Sequence, residues 1–198
     1  MAYQSVLKFP DQVLRMKSEA VIVFDDELQN LVVDLHDTIN VSGGIGLSAP
    51  QIGVRRRVVY ISAGEFTGPM INPRIVDTSN PVMLNEGCLS FPGVMEDVNR
   101  FANIKCTYQD VEGVEHQLDV ADLSAHIIQH EIEHLDGVLL IDKLSRIKRA
   151  RIHRKAKKQR RVEKGMMACQ DSSRRKKKNS NLSKKELKIR KKRRLRSR

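Results

Sequence analysis

In the stretch QHEIEHLDG, residues 129–137, two histidines are separated by three residues, with a glutamate directly after the first. On a helix that spacing returns a side chain to nearly the same face, so His130 and His134 can grip one metal ion together. Glu131, beside the first histidine, is a carboxylate placed to move a proton at such a site. The plainer reading is two partly buried helix histidines and an exposed charge. Two ligands also leave a site incomplete. EGCLS, residues 86–90, offers a third in Cys88, whose thiolate with two imidazoles would leave one position open for water. By itself a cysteine there could equally be a small buried hydrophobe. GGIGLSAPQIG, residues 43–53, adds glycines that let backbone come close to a ligand and a side-chain amide donor in Gln51.

These residues need elements to position them. DELQNLVVDLHDTIN, residues 26–40, places Leu28, Leu31, Val32, Leu35 and Ile39 on one helical stripe that ends at the glycines of SGGIG. RRVVYIS (56–62), MINPRIVD (70–77) and NIKCTYQD (103–110) are short, β-branched and bounded by turn formers, which predicts strands. ADLSAHIIQHEIEHLDG (121–137) returns to helical spacing and stops at Gly137. Helix, strands, then a helix bearing the histidines is an α+β order.

The formal charge of +12 hides a sharp asymmetry: residues 148–198 hold 25 Lys and Arg against three acids, a net +22, which leaves −10 on residues 1–147. The expected organisation is a catalytic domain over 1–147, a basic helix over 148–169 and a disordered Lys/Arg-rich tail over 170–198, where like charges repel. Cys88, Cys106 and Cys169 are too few and too scattered for a disulfide framework, which suits a reducing compartment. The N-terminus reads as neither a signal peptide nor a span, so the expected location is cytoplasmic, with no membrane partner.

GIGLSAPQ (44–51), EGCLS (86–90) and QHEIEH (129–134), in this order, resemble the three signatures of the peptide deformylases. FPDQVLRMKSEAV matches the way that family begins, and the resemblance covers about residues 5–150. It implies antiparallel strands packed around a central, metal-bearing HExxH helix. It implies Cys88, His130 and His134 as ligands of one divalent transition metal, usually iron(II), with zinc, nickel or cobalt able to occupy the same site. The implied reaction removes the formyl group from the N-terminal formyl-methionine of nascent polypeptides and releases formate. A water of lowered pKa attacks, Glu131 serves as general base and then acid, and Gln51 with the Leu89 N–H stabilises the oxyanion.

By the same resemblance the methionine slot is built from Ile45, Leu84, Leu123, His126 and Ile127, with Gly46 and Gly87 beside the substrate. His126 departs from the aliphatic residue usual there. It can be a polar pocket wall, a partner supporting a ligand or a solvent-facing ring, and the last two are favoured. Glu133 stands where most relatives have aspartate, and Met95 where a substrate-facing arginine is frequent; Arg100 matches a further family arginine, read as a structural ion pair. SRIKRARIHRKAKKQRR resembles the extension with which bacterial members dock on the ribosome. Lys148, Arg149, Arg151, Arg154, Lys155, Lys157 and Lys158 are the expected rRNA contacts. The enzyme is expected to be a monomer. An HExxH zinc protease and an inactive RNA-binding protein are the rival readings; the first lacks a downstream third ligand at persuasive spacing, and the intact metal and glutamate positions oppose the second.

Overall fold

The computed structural model describes residues 3–162. The chain divides into a compact unit through His153 and a second unit, Arg154–Arg198. The expected disordered tail, 170–198, lies outside the described residues, as do 163–169 of the expected basic helix.

Among the described residues, five antiparallel strands form one sheet in chain order: β1 (Gly46–Ser48), β2 (Val58–Ala63), β3 (Phe66–Gly87), β4 (Met95–Gln109) and β5 (Glu115–Ala121). Among the described residues, α1 (Asp26–Ser42) precedes the sheet and α2 (Asp122–Leu135) follows it. The α+β arrangement with an antiparallel sheet is as expected. The strands are longer than their sequence signals. β3 runs 22 residues, from Phe66 to Gly87; its first part pairs with β2, and the pairing with β4 begins at Ile71. Beyond Asn72 it pairs with β4 alone, so TSNPVMLNEG is an edge that tolerates Pro81. Pairing with β4 extends the strand where propensity would have ended it. β1 and β5 escaped sequence reading because three residues among glycines, and a mostly polar run, carry too little pattern.

α1 starts at Asp25, whose carboxylate accepts from the Leu28 N–H at 3.0 Å, and ends at Gly43 with φ +70°. Its stripe of Leu28, Leu31, Leu35 and Ile39 packs with Leu47, Val58 and Ile71. α2 packs Ala125, Ile127, Ile128, Ile132 and Leu135 against Val59, Ile61, Met70, Ile104 and Val120. Val58 and Val59 therefore serve different clusters, as do Met70 and Ile71, because successive strand residues point to opposite faces. α2 touches all five strands and is buried on nearly every side. Gln129 fastens it to β4: its amide oxygen accepts from the Phe101 N–H at 3.0 Å, and its nitrogen donates to the Phe101 carbonyl at 2.8 Å. Gly137, at φ +72°, closes the helix where a Cβ would lie 2.5 Å from the Arg15 carbonyl oxygen.

Residues 146–153, the last of the first unit, are helical and pack within it. Ile152 is buried, and the His153 ring meets Phe9 edge-on at 4.8 Å. Lys148 and Arg151 both pair with Glu96, while Arg149 donates to the carbonyls of Ile141 and Asp142 at 3.1 and 2.8 Å. In the second unit, residues 154–162 are helical. Among the described residues, no helix is long and apolar enough to cross a membrane.

Candidate metal centre

Three chain segments far apart in sequence meet at one point. α2 supplies His130, Glu131 and His134, the connection after β3 supplies Cys88, and the 3-10 turn Ala49–Ile52 after β1 supplies Gln51. One ligand atom from each of Cys88, His130 and His134 lies within 4.8 Å of the others. Cys88 Sγ and His134 Nε2 stand 3.2 Å apart, and the two imidazoles meet edge to face with centroids 4.9 Å apart. A soft thiolate with two imidazoles is a donor set for a divalent transition ion. Glu131 Oε2 and His134 Nδ1 are buried without a hydrogen-bond partner among the described residues. Buried polar atoms left so are rare in a finished core and common where a ligand, ion or water completes the site. The residues present fit a metal.

Glu86 organises the support. Its Oε1 accepts from Arg100 Nη2 at 2.6 Å and faces His130 Nδ1 at 3.2 Å; its Oε2 accepts from Arg100 Nε at 3.1 Å and pairs with His126 Nε2. Holding Nδ1 in this way leaves Nε2 of His130 for a metal, and the carboxylate fixes the ring's tautomer and orientation. Arg100 continues to Glu133 at 2.7 Å, which also meets Lys143 at 2.6 Å, so Arg100 is a structural ion pair and Glu133 is its second anchor. Burial would raise the Glu86 carboxyl, but hydrogen bonds with His126, His130 and Arg100 outweigh it and hold the group well below the usual carboxylate range. Burial would lower His130, yet Cys88 and Glu86 hold it well above its ordinary value. His134, buried beside the His130 charge, is pushed well below it. Burial pushes the Glu131 carboxyl up to about 7, against the pull of His130.

Gln51 is locked by its own turn. Its Oε1 accepts from the Ser48 N–H and hydroxyl, each at 2.9 Å, which turns Nε2 toward Ser90 Oγ at 3.3 Å and Cys88 Sγ at 3.7 Å. The amide nitrogen is thus a fixed donor at the thiolate. Gly46 permits the close approach of α2: a Cβ there would lie 2.6 Å from Ile127 Cγ2 and 2.7 Å from Glu131 Oε1.

A cleft of about 800 Å³ opens over these groups. Ile45, Gly46, Gln51, Gly87, Cys88, Leu89, Leu123, His126, Ile127, His130 and Glu131 all line it. Leu84 does not; it sits half-buried on β3, paired with Val98. His126, half-buried against Glu86, is not a solvent-facing ring. Met95 lines the cleft near Gly87 and is 60% exposed. Sequence reasoning passed over Glu86, Ser48 and Ser90. Glu86 opens the EGCLS motif, a position that could have been suspected; Ser48 at the end of β1 and Ser90 in a turn carry no signal until the fold brings them to Gln51.

The sequence model described as polypeptide deformylase matches residues 3–150. The chain belongs to the polypeptide deformylase family. Its relatives include the peptide deformylase of Helicobacter pylori strain J99, 38% identical over 165 residues that cover 79% of this chain and 95% of that one. Among solved structures, the deformylase from Legionella pneumophila superposes with a TM-score of 0.76 at 36% identity, covering 82% of this chain and 98% of its own. That from Ehrlichia chaffeensis in complex with actinonin gives 0.77 at 36% identity, covering 80% and 98%. Deformylases are metal-dependent hydrolases, and the Cys88, His130, His134 cluster of this deformylase family member is metal-capable.

Proposed function

We propose that this chain removes the formyl group from N-formylmethionyl nascent peptides, releasing formate, with Cys88, His130 and His134 holding one divalent transition metal. Iron(II) is the metal the family resemblance favours; zinc, nickel and cobalt suit the same donors. When bound, such a metal supplies Lewis acidity and lowers the pKa of water at the site.

The chain's own groups do the remainder. Glu131, with a carboxyl near 7, is matched to take a proton from water and return it to the departing amine at neutral pH. Gln51 Nε2, held by Ser48, and the Leu89 N–H are donors for the charge that develops on the formyl oxygen. Ile45, Leu123, His126 and Ile127 wall the slot for the methionine side chain, and Gly46 and Gly87 line the cleft beside the peptide. With Met95 in place of a substrate-facing arginine, the peptide beyond methionine meets an apolar rim. The basic segment is the proposed ribosome contact, with Arg154, Lys155, Lys157 and Lys158 its rRNA-facing charges. Lys148, Arg149 and Arg151 are bonded to Glu96 and to the Ile141 and Asp142 carbonyls within the first unit. The enzyme works as a cytoplasmic monomer in this reading.

The observation that carries the proposal is the convergence of Cys88, His130 and His134 beside the buried, unpartnered carboxylate oxygen of Glu131. Anaerobically prepared protein offered formyl-Met-Ala-Ser should release formate, and acetyl-Met-Ala-Ser should yield no acetate. Glu131→Gln should lower turnover by ~10²–10⁴-fold. Cleavage at an internal peptide bond, or no formate from metal-loaded wild type, would sink the reading.

A further inference from the structure

His126 faces two ways. It lies on the same stripe of α2 as Leu123, Ile127 and His130, and all four residues line the cleft. Its Nε2 is also bonded to Glu86, a carboxylate that Arg100 grips with two nitrogens. An ionised carboxylate only accepts, so His126 donates from Nε2 and that nitrogen offers nothing to a ligand. The pairing pins the ring, whose side chain is only 16% exposed. It gives the slot an aromatic surface where Ile45, Leu123 and Ile127 are aliphatic.

The C–H edge of an aromatic ring is electropositive, and a polarisable thioether sulfur gains from touching a ring in a way that a methylene of similar size does not. We propose that His126 is a specificity-determining residue whose ring recognises the thioether sulfur of the first side chain of the formyl-peptide. The chain thereby separates methionine from its sulfur-free isostere, norleucine. This rests on the deformylase reading and adds the property that sets this slot apart from one walled by aliphatic residues alone.

The test compares kcat/KM for formyl-Met-Ala-Ser and formyl-norleucyl-Ala-Ser on metal-loaded, full-length wild type, His126→Ile and His126→Phe. The wild-type preference for methionine should exceed that of His126→Ile by about two- to tenfold. The difference should fall mainly in KM, because the contact exists in ground and transition states alike. His126→Phe, which keeps a ring and loses the Glu86 bond, should retain most of the preference. A wild type indifferent to the sulfur overturns the inference whatever the variants do. So does a His126→Ile ratio equal to wild type, or a His126→Phe ratio that drops to that of His126→Ile. Formate from neither peptide would instead bring down the deformylase reading itself.

Discussion

Glu86 shows how one buried carboxylate can govern a site. Four hydrogen-bond contacts converge on its carboxylate, from Arg100 twice, His126 and His130. Replacing it with glutamine removes the charge and one acceptor, so His130 loses the group that orients Nδ1 and Arg100 loses a buried counter-ion. We expect Glu86→Gln to weaken metal affinity by roughly 10–100-fold, read by competition against a chelator under anaerobic conditions. Gly46 is a second case, governed by space. The Cβ of Gly46→Ala would meet Ile127 Cγ2 at 2.6 Å and Glu131 Oε1 at 2.7 Å. The carboxylate must then shift, and a misplacement of about 1 Å should cost ~10²-fold in kcat. Circular dichroism should show the fold unchanged.

At the scale of elements, α2 is the platform and the helical segment 146–153 is its neighbour's clasp. Glu96, at 5% exposure, receives Lys148 and Arg151 from that segment. The Lys148 hydrogen bond, followed by Arg151, holds the Glu96 carboxyl below its ordinary value against the effect of burial. A folded-state value below the unfolded one means the contribution is fully present above the unfolded range. It is lost as pH falls through the lowered value. Wild type should therefore be more stable than Glu96→Gln at pH 7, by ~1 kcal/mol for partners this exposed. The gap in melting temperature should close progressively below about pH 4.5. A gap that persists undiminished at pH 3 would mean that packing of Ile152 and His153, and not charge, holds the segment.

Across the whole molecule, charge divides a body of net −10 from a C-terminal segment of +22. Docking of residues 146–153 means that a chain ending at His153 keeps Ile152 in its seat, so loss of the remaining cations can be separated from damage to the core. Full-length protein should bind ribosomes with an affinity that falls roughly 10²-fold between 50 and 200 mM salt. The chain ending at His153 should bind weakly at every salt concentration and deformylate a free tripeptide as well as full length. Sedimentation with ribosomes and a formate assay read the two properties apart; equal ribosome binding by both chains would end the tether proposal.

HExxH, EGCLS and GIGLSAPQ were legible in the sequence because catalysis fixes residue types at set spacings. α1 was legible because one face of a helix buries a stripe of period 3.6. The lengths of β3 and β4 were not, since their outer halves are strands only because they pair with each other. Leu84 was placed in the slot by analogy, whereas the register of β3 pairs it with Val98 outside the cleft lining. Of the basic segment the sequence determined the charge. Only the folded chain decided that Lys148 and Arg151 bond to the body, because the partner they share, Glu96, is distant in sequence. The same holds for His126: its identity was written in the chain, but its orientation was set by Glu86, 40 residues away. Sequence fixes which groups exist and their local periodicity; which of them meet is settled by long-range packing, where the free energy of burial and pairing is gained.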